Sequence, residues 1–519
     1  MGVRAKAGVR LRAQSGLRAR NNRGGIPKLP ISYRSITRRR SRIVIIGATR
    51  SRITPVWDWK DQNFEMLNEA GFKVSDPGPL RAPILSFKIR RDEHLEIMLE
   101  TETALDARSI AEKIPSGTLR YNAETATIVH KFMDATATLT GVQTLSVSQQ
   151  EDCLREIATI HELTTKLQDV SKAAYTIEWI ANMPSSFMWP DSIDTVADKT
   201  TTITVSDLTI TESDERRSGS NAAARLTIAD HTLYICVPPR SSESRAGCIV
   251  YTGAPDDETR KKVRTALSFA LGVYLVETGH TLYDPTWLIV RATSISPYSL
   301  DGRALDLQIM PLTWLSDRNY QFDISRQKLQ QMVEKLVSAY HTLDLGNLAW
   351  AYWHARTAAL HIAPAHFGAA IEALQRAYVK MNPDKIRTKI LPDAQWDNLF
   401  AALGNTINSA SLSEEDKTVL TGKIRSGTNS VPQRERLRAI SQALDIIIGH
   451  DEDAAWKRRD QAAHGLPIPE GKELQAIRDM KLLTGLFHRL LLSISGAADS
   501  YIDYTSEGIP PRPLKDPVP

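Results

Sequence analysis

The 519-residue chain predicts an α+β multidomain protein, a β-rich amino-terminal part followed by an all-α helical bundle. Three observations predict it. The length exceeds what one hydrophobic core usually serves, so two or more domains are expected. Up to about residue 300 the apolar residues come mainly as short runs and alternations bounded by turn residues, the pattern of strands. From 325 onward they recur at three- and four-residue intervals, the pattern of helices with one buried face. The divisions expected are 1–42, a basic extension; 43–320, the β-rich part; 325–500, the helical bundle; and 501–519, a Pro-rich tail expected to be mobile.

Hydrophobic content of 42% and charged content of 24% are those of an ordinary globular chain. The net charge of +5 is unevenly spread: residues 1–42 hold thirteen Lys/Arg and no acid, leaving 52 basic against 60 acidic residues, a net of −8. The folded part therefore lacks general affinity for nucleic acid, and any RNA site must be a local patch. Residues 1–42 read as a disordered segment. It is a nucleic-acid-binding arm, an organellar transit peptide, or an extension from an upstream start codon, and the clash of composition favours the last. Met66 is a candidate internal start, although it would cut away Trp57-Asp58-Trp59. The three cysteines, Cys153, Cys236 and Cys248, form no C-x-x-C pair, which argues against a zinc site or disulfide scaffold and suits the cytoplasm. No apolar run approaches the length of a membrane span.

In chain order, Ile43–Ile46, Pro83–Ile89, Leu95–Glu100, Gly117–Tyr121 and Ala126–Phe132 read as strands, with Thr-rich alternation up to Val147. Residues 151–182 read as helix, because Leu154, Ile157, Ile160 and Leu167 fall at helical spacing. Strands resume at Thr201–Val205 and Leu208–Thr211, with Glu212–Asn221 a polar loop, then Arg225–Ile228, Thr232–Val237 and Gly247–Tyr251. A helix over Asp257–Tyr274 and a strand at Trp287–Arg291 close this half. His280, Tyr283 and Asp284 have the residue types of a catalytic triad fragment, but a loop between that helix and strand is the better account. Apolar stripes then run through Leu329–Leu343, Phe367–Met381, Trp396–Leu403, Leu437–Ile448 and Leu474–Ile494. The cluster Trp350, Tyr352 and Trp353 reads as core rather than a base-stacking platform. His361 and His366 read as caps or solvated residues at a helix start.

The chemistry concentrates in Trp456-Lys-Arg-Arg-Asp-Gln-Ala-Ala-His-Gly465. As a helix, Asp460 and His464 are i and i+4 and share a face. Gly465 suits the C′ position, with Pro467 just beyond. His464 then lies in the last turn, where the helix dipole favours its charged form. Arg459 is roughly 140° round the helix, but its side chain is long. A cation, a carboxylate and a titratable base so arranged suit a phosphodiester. Similar Arg–His spacings occur at Arg155–His161, Arg225–His231 and Arg356–His361, but only the Arg459 match combines a charged following residue, a helix stop after the histidine and helices on both sides. Arg458 is an alternative arginine, but a basic residue follows it.

This stretch resembles the R-x4-6-H signature of HEPN domains. Ala365-His-Phe-Gly-Ala-Ala-Ile-Glu-Ala-Leu374 resembles the first core helix of ApeA-like HEPN domains, with Phe367 and Glu372 matching its aromatic and acidic residues. Lys262–Gly272 with Thr281–Asp284 resembles the end of the domain that precedes them. The resemblance implies an all-helical HEPN bundle in a bacterial anti-phage, abortive-infection ribonuclease. It implies metal-independent RNA cleavage needing no cofactor, with Arg459, Asp460 and His464 catalytic and Glu372 and Arg458 supporting. It further implies a homodimer through the HEPN part, and an amino-terminal part sensing a phage-derived or cellular trigger. The mildly acidic folded part points to a restricted substrate such as tRNA. The alternatives are a non-catalytic dimerisation and RNA- or ligand-binding module, and a toxin held by a partner antitoxin.

Overall fold

The computed structural model describes residues 62–518, apart from 69–70, 110–123, 133, 206–207, 229, 238–245, 301, 319, 321 and 428. The extension 1–42 and the strands expected at Ile43–Ile46 and Gly117–Tyr121 lie outside the described residues. Residues 197–216 cluster apart from the body of the chain.

The first layer pair is a sandwich. After α1 (Gln62–Asn68) come β1 (Phe72–Asp76), β2 (Arg81–Arg91), β3 (Ile97–Ser109), β4 (Thr125–His130), β5 (Thr136–Thr140), β6 (Gln143–Gln149), β7 (Leu154–Ile160) and β8 (Glu162–Lys166). Strands β2-β3-β7-β6 form a four-stranded antiparallel sheet. Its apolar face meets β4, β5, β8 and α1 in one core that includes Phe64, Leu67, Ile97, Leu99, Ile128, Leu139, Ala158 and Leu163. Segment 151–182, expected to be one helix, is mostly strand, interrupted by turns and one 3-10 turn at Val170–Lys172. In β7 the alternation is clear, with Glu156, Ala158 and Ile160 turned inward and Arg155, Ile157 and Thr159 less buried. Leu154, Ile157 and Ile160 match a helical stripe by coincidence, and the β-branched Ile157, Thr159 and Ile160 pack better on a pleated surface.

The chain continues through β9 (Tyr175–Ile180), β10 (Asp191–Val205), β11 (Leu208–Ile228), β12 (His231–Cys236), β13 (Gly247–Thr252), α2 (Asp257–Leu271), β14 (Glu277–Tyr283) and β15 (Ile289–Ile295). Together with part of the first set these make a sheet of order β1-β4-β5-β8-β15-β14-β9-β13-β12-β11-β10. Two local expectations are corrected here. Glu212–Asn221 is not a loop but lies within β11, since backbone pairing does not require apolar side chains. His280 and Tyr283 belong to β14, while Asp284 closes the following turn by accepting the N–H groups of Thr286 and Leu288 at 2.8 and 3.0 Å.

The central strands are buried on both faces. On one, Cys248, Val250, Ile177, Trp179 and Tyr283 form a small cluster. On the other, Ile249, Tyr251 and the apolar side of α2 open a core that runs without a break into the helices. Those helices are α3 (Arg326–Ser338), α4 (Leu345–Thr357), α5 (Ala363–Met381), α6 (Asp393–Ser409), α7 (Glu414–Gly427), α8 (Gln433–Ala443), α9 (His450–Ala463) and α10 (Glu473–Ser495). Phe269 of α2 is the joint, its ring centroid 5.5 Å from that of Tyr352, 5.7 Å from Trp353 and 6.3 Å from Phe487. Burying such a ring contributes about 2–3 kcal/mol. Tyr352 and Trp353 are core, but Trp350, expected to join them, is 59% exposed. No helix among the described residues is long and apolar enough to cross a membrane.

The tail is fixed rather than mobile. Strands β16 (Ser500–Ile502) and β17 (Pro511–Pro513) pair antiparallel, and Val518 is buried. What holds it is Arg489 of α10, fully buried, which donates to the carbonyls of Leu514 at 2.9 Å, Lys515 at 3.2 Å and Ile447 at 2.8 Å and to Glu452 Oε1 at 2.6 Å. Prolines supply no N–H but accept normally, so a Pro-rich segment can be anchored through its carbonyls.

Next to Arg489 in α10, His488 is also fully buried, its Nε2 2.8 Å from the Tyr352 hydroxyl. Burial, assisted by the Arg356 charge, pushes its pKa down to about 3. The unfolded chain keeps a value of about 6.5 and so binds the extra proton between those limits. Stability from neutral His488 is therefore full above that unfolded value and is lost as pH falls through the window. Between pH 7.5 and 4.5, wild type is expected to lose about 2–3 kcal/mol more unfolding free energy than His488→Leu, read from urea midpoints at the two pH values.

Candidate functional site

The site forms where α9 ends against α5. Helix α9 begins with Asp451, Glu452 and Asp453 in its first turn, the charge its dipole favours there. It stops in a Schellman motif: Gly465 N–H donates to the Ala462 carbonyl and Leu466 N–H to the Gln461 carbonyl, both at 3.0 Å. Gly465 takes φ +71°, a conformation that costs glycine little. This stop leaves His464 at the C-cap with an exposed side chain.

Arg459 points the other way, into the bundle, and its side chain is 9% exposed. Its Nη2 donates to Glu372 Oε1 of α5 at 2.6 Å, and its Nη1 to Asp460 Oδ1 at 2.9 Å and to the Trp456 carbonyl at 3.0 Å. The guanidinium lies 3.5 Å from the centroid of the buried Trp456 ring, a cation–π contact. Three of its five N–H groups thus donate within the protein. Asp460 is 64% exposed and turns its carboxylate to Arg459. Its contact with His464 is through backbone, the His464 N–H donating to the Asp460 carbonyl at 3.0 Å; among the described residues no side-chain hydrogen bond joins the two. Arg458 grips Asp479 of α10 with two bonds of 2.6 Å, and this carboxylate holds the guanidinium pKa above its usual value. The five residues singled out from the sequence therefore divide: Arg459, Asp460 and Glu372 form one contiguous ion-pair group, His464 stands exposed one turn on, and Arg458 braces α9 against α10.

Sequence reasoning missed Gly368, Trp456 and Asp479 as parts of this site. Gly368 lets the Arg459 stem cross α5, since a Cβ there would lie 2.7 Å from Arg459 Cδ and 2.8 Å from Nε. Gly368→Ala is expected to cost about 1–3 kcal/mol by overpacking. In Gly368→Ala/Arg459→Ala most of that cost should vanish, a non-additivity measurable by urea unfolding of the four proteins. No signal in the sequence marks Asp479, whose partner lies 21 positions away.

An open cavity of about 440 Å³ is lined by residues including Arg438, Ser441, Asp445, Gly449, His450 and Asp453. It sits at the start of α9, about 20 Å along the helix from His464, and shares no residue with the group above. A second cluster of charges lies under α2. Arg264 pairs with the buried Glu178 and, at 2.6 Å, with Glu277, and Tyr251 donates to Glu178 at 2.9 Å. Burial pushes Glu178 up; burial is also the largest influence on Glu277 and opposes its ionisation, yet Arg264, His280 and Arg260 together outweigh it and draw that carboxyl down to about 2. This cluster pins α2 to β9 and β14. Among the described residues no group of three or more His, Cys, Asp or Glu side chains is placed to hold a metal ion.

Compared with protein-family models, with curated proteins and with solved structures, the chain matches none.

Proposed function

We propose that the chain is a HEPN-type, metal-independent endoribonuclease, an ApeA-like effector of anti-phage abortive infection. The observation that carries the reading is the end of α9: a guanidinium fixed by Glu372 and Asp460, followed one turn later by an exposed histidine at the helix stop. RNA carries its own nucleophile. His464 removes the 2′-hydroxyl proton as the 2′-oxygen attacks phosphorus, imidazole being the commonest general base in proteins. The two N–H groups of Arg459 that donate to no partner among the described residues stabilise the phosphorane charge. The bond to the 5′-oxygen breaks, leaving a 2′,3′-cyclic phosphate and a 5′-hydroxyl. Two oxygens need proton transfer and each chain offers one such histidine, so a homodimer with twofold-related motifs supplies the second. The β-rich part senses the trigger, phage-derived or cellular, and tRNA is the expected substrate, in the cytoplasm.

A second reading, a non-catalytic dimerisation and RNA- or ligand-binding module, is favoured by one observation: Arg459 is nine-tenths buried and Asp460 serves it rather than His464. Purified protein in EDTA, incubated with tRNA and with the same RNA carrying 2′-deoxy nucleotides at the cut positions, separates the two. Cleavage of the first and not the second supports the ribonuclease. Binding of both without cleavage, also in lysate of phage-infected cells, supports the module.

A further inference from the structure

Cys236 and Cys248 lie twelve positions apart in a sequence without a C-x-x-C motif, yet the fold sets them face to face. Strands β12 and β13 pair antiparallel, and Cys236 is the register partner of Cys248. Directly opposed residues in such a pair have Cα atoms about 4.5 or 5.5 Å apart, and both separations lie in the range of about 4.4–6.8 Å that a disulfide spans. Register partners share a face of the sheet, and both side chains pack with Trp179, Val250 and Tyr283. Their exposures differ: Cys248 is fully buried, whereas Cys236 is partly exposed. The thiols are within hydrogen-bonding reach, and the bond from Cys248 holds the Cys236 thiol below its ordinary pKa, favouring the thiolate that reacts with oxidants.

We infer that Cys236 and Cys248 form an oxidant-reactive dithiol, in which Cys236 meets a hydroperoxide and Cys248 resolves the product to a cross-strand disulfide. The Cys236 thiolate attacks a peroxide oxygen. An S–O bond forms, the O–O bond breaks, and the departing hydroxide takes a proton to become water. The Cys248 sulfur then attacks Cys236 Sγ. The S–O bond breaks and a second water leaves, carrying the thiol proton of Cys248. The two thiols lose two electrons and the peroxide gains them. A small-molecule disulfide such as oxidised glutathione accomplishes the same by two exchange steps, releasing two thiols. The new bond staples two strands in the interior of the large sheet, next to β9. Cys153 is the internal control: it is partly exposed, near Gln150, in the turn between β6 and β7.

The test uses the full chain. Reduced protein is treated with hydrogen peroxide, quenched, denatured, alkylated with N-ethylmaleimide, weighed intact and mapped by peptides. The expected result is a fall from three alkylatable thiols to one, with a Cys236–Cys248 crosslinked peptide that dithiothreitol reverses. In the oxidised form, amide exchange over β12 and β13 should slow by tenfold or more. In Cys248→Ser, a dimedone adduct should appear on Cys236. Retention of all three thiols, oxidation of Cys153 ahead of the pair, or Cys236 crosslinked only between chains would overturn the inference. The wild-type measurement decides it even if the serine variant fails to fold.

Discussion

His464→Ala is expected to lower RNA cleavage by about 10²- to 10⁴-fold, the usual yield of a positioned general acid or base, while leaving the unfolding midpoint nearly unchanged. The two halves of that expectation have separate causes. The imidazole is exposed at the C-cap, and the helix stop around it is built from backbone bonds and the positive φ of Gly465. Removing an exposed ring there takes away no packing, so the stability change should stay within about 0.5 kcal/mol. Arg459→Ala should behave differently. It strips Glu372 of its partner, uncovers the Trp456 ring and removes three hydrogen bonds, so activity and stability should fall together. Comparing cleavage rates and urea midpoints for the two variants separates a residue that reacts from one that also builds the site.

Arg489→Ala is expected to destabilise the chain by about 3–5 kcal/mol, the cost of breaking a buried ion pair from one side. Both Arg489 and Glu452 have fully buried side chains. Glu452 Oε2 also accepts the Gly449 N–H at 2.8 Å, so the arginine anchors the carboxylate that caps α9. The same guanidinium bonds the carbonyls of Ile447, Leu514 and Lys515. Its loss should therefore loosen both the start of α9 and the carboxy-terminal tail, visible as amide exchange and protease cleavage near 511–518 before global unfolding. The double variant Glu452→Leu/Arg489→Met should recover part of the lost stability, because no unpaired charge then remains buried.

The helical half is largely legible in the sequence because most helices there carry their own signal, whereas α4 and α7 show no apolar stripe of their own and are not expected from it. The stripes Leu329–Leu343 and Leu437–Ile448 announce α3 and α8, and Gly465 with Pro467 announces the end of α9. The β-rich half is less legible because a strand's stability lies in its partners. Leu154, Ile157 and Ile160 fit two periods at once, and pairing of β7 with β3 and β6 decides between them. The two ends of β11, Leu208–Thr211 and Arg225–Ile228, read as strands, but the polar stretch Glu212–Asn221 between them carries no apolar alternation, so their continuity is invisible in the sequence. In the site, residue types are legible and directions are not. Asp460 and His464 do share a helix face, but Asp460 takes the nearer guanidinium of Arg459 as its partner. The ion pairs that fix α9, Arg459 with Glu372 and Arg458 with Asp479, join residues far apart in sequence. The pairing of Cys236 with Cys248 is a fact of register, which no spacing of cysteines reports.

As proposed above, Arg459 and His464 cleave RNA without a metal. The most direct test is to incubate purified wild type and His464→Ala with tRNA in EDTA and analyse the ends produced, with and without lysate from phage-infected cells. Cleavage by wild type alone, leaving 2′,3′-cyclic phosphate and 5′-hydroxyl ends, is expected. Equal cleavage by both proteins, 3′-hydroxyl ends, or no cleavage by wild type even with infected lysate would contradict it.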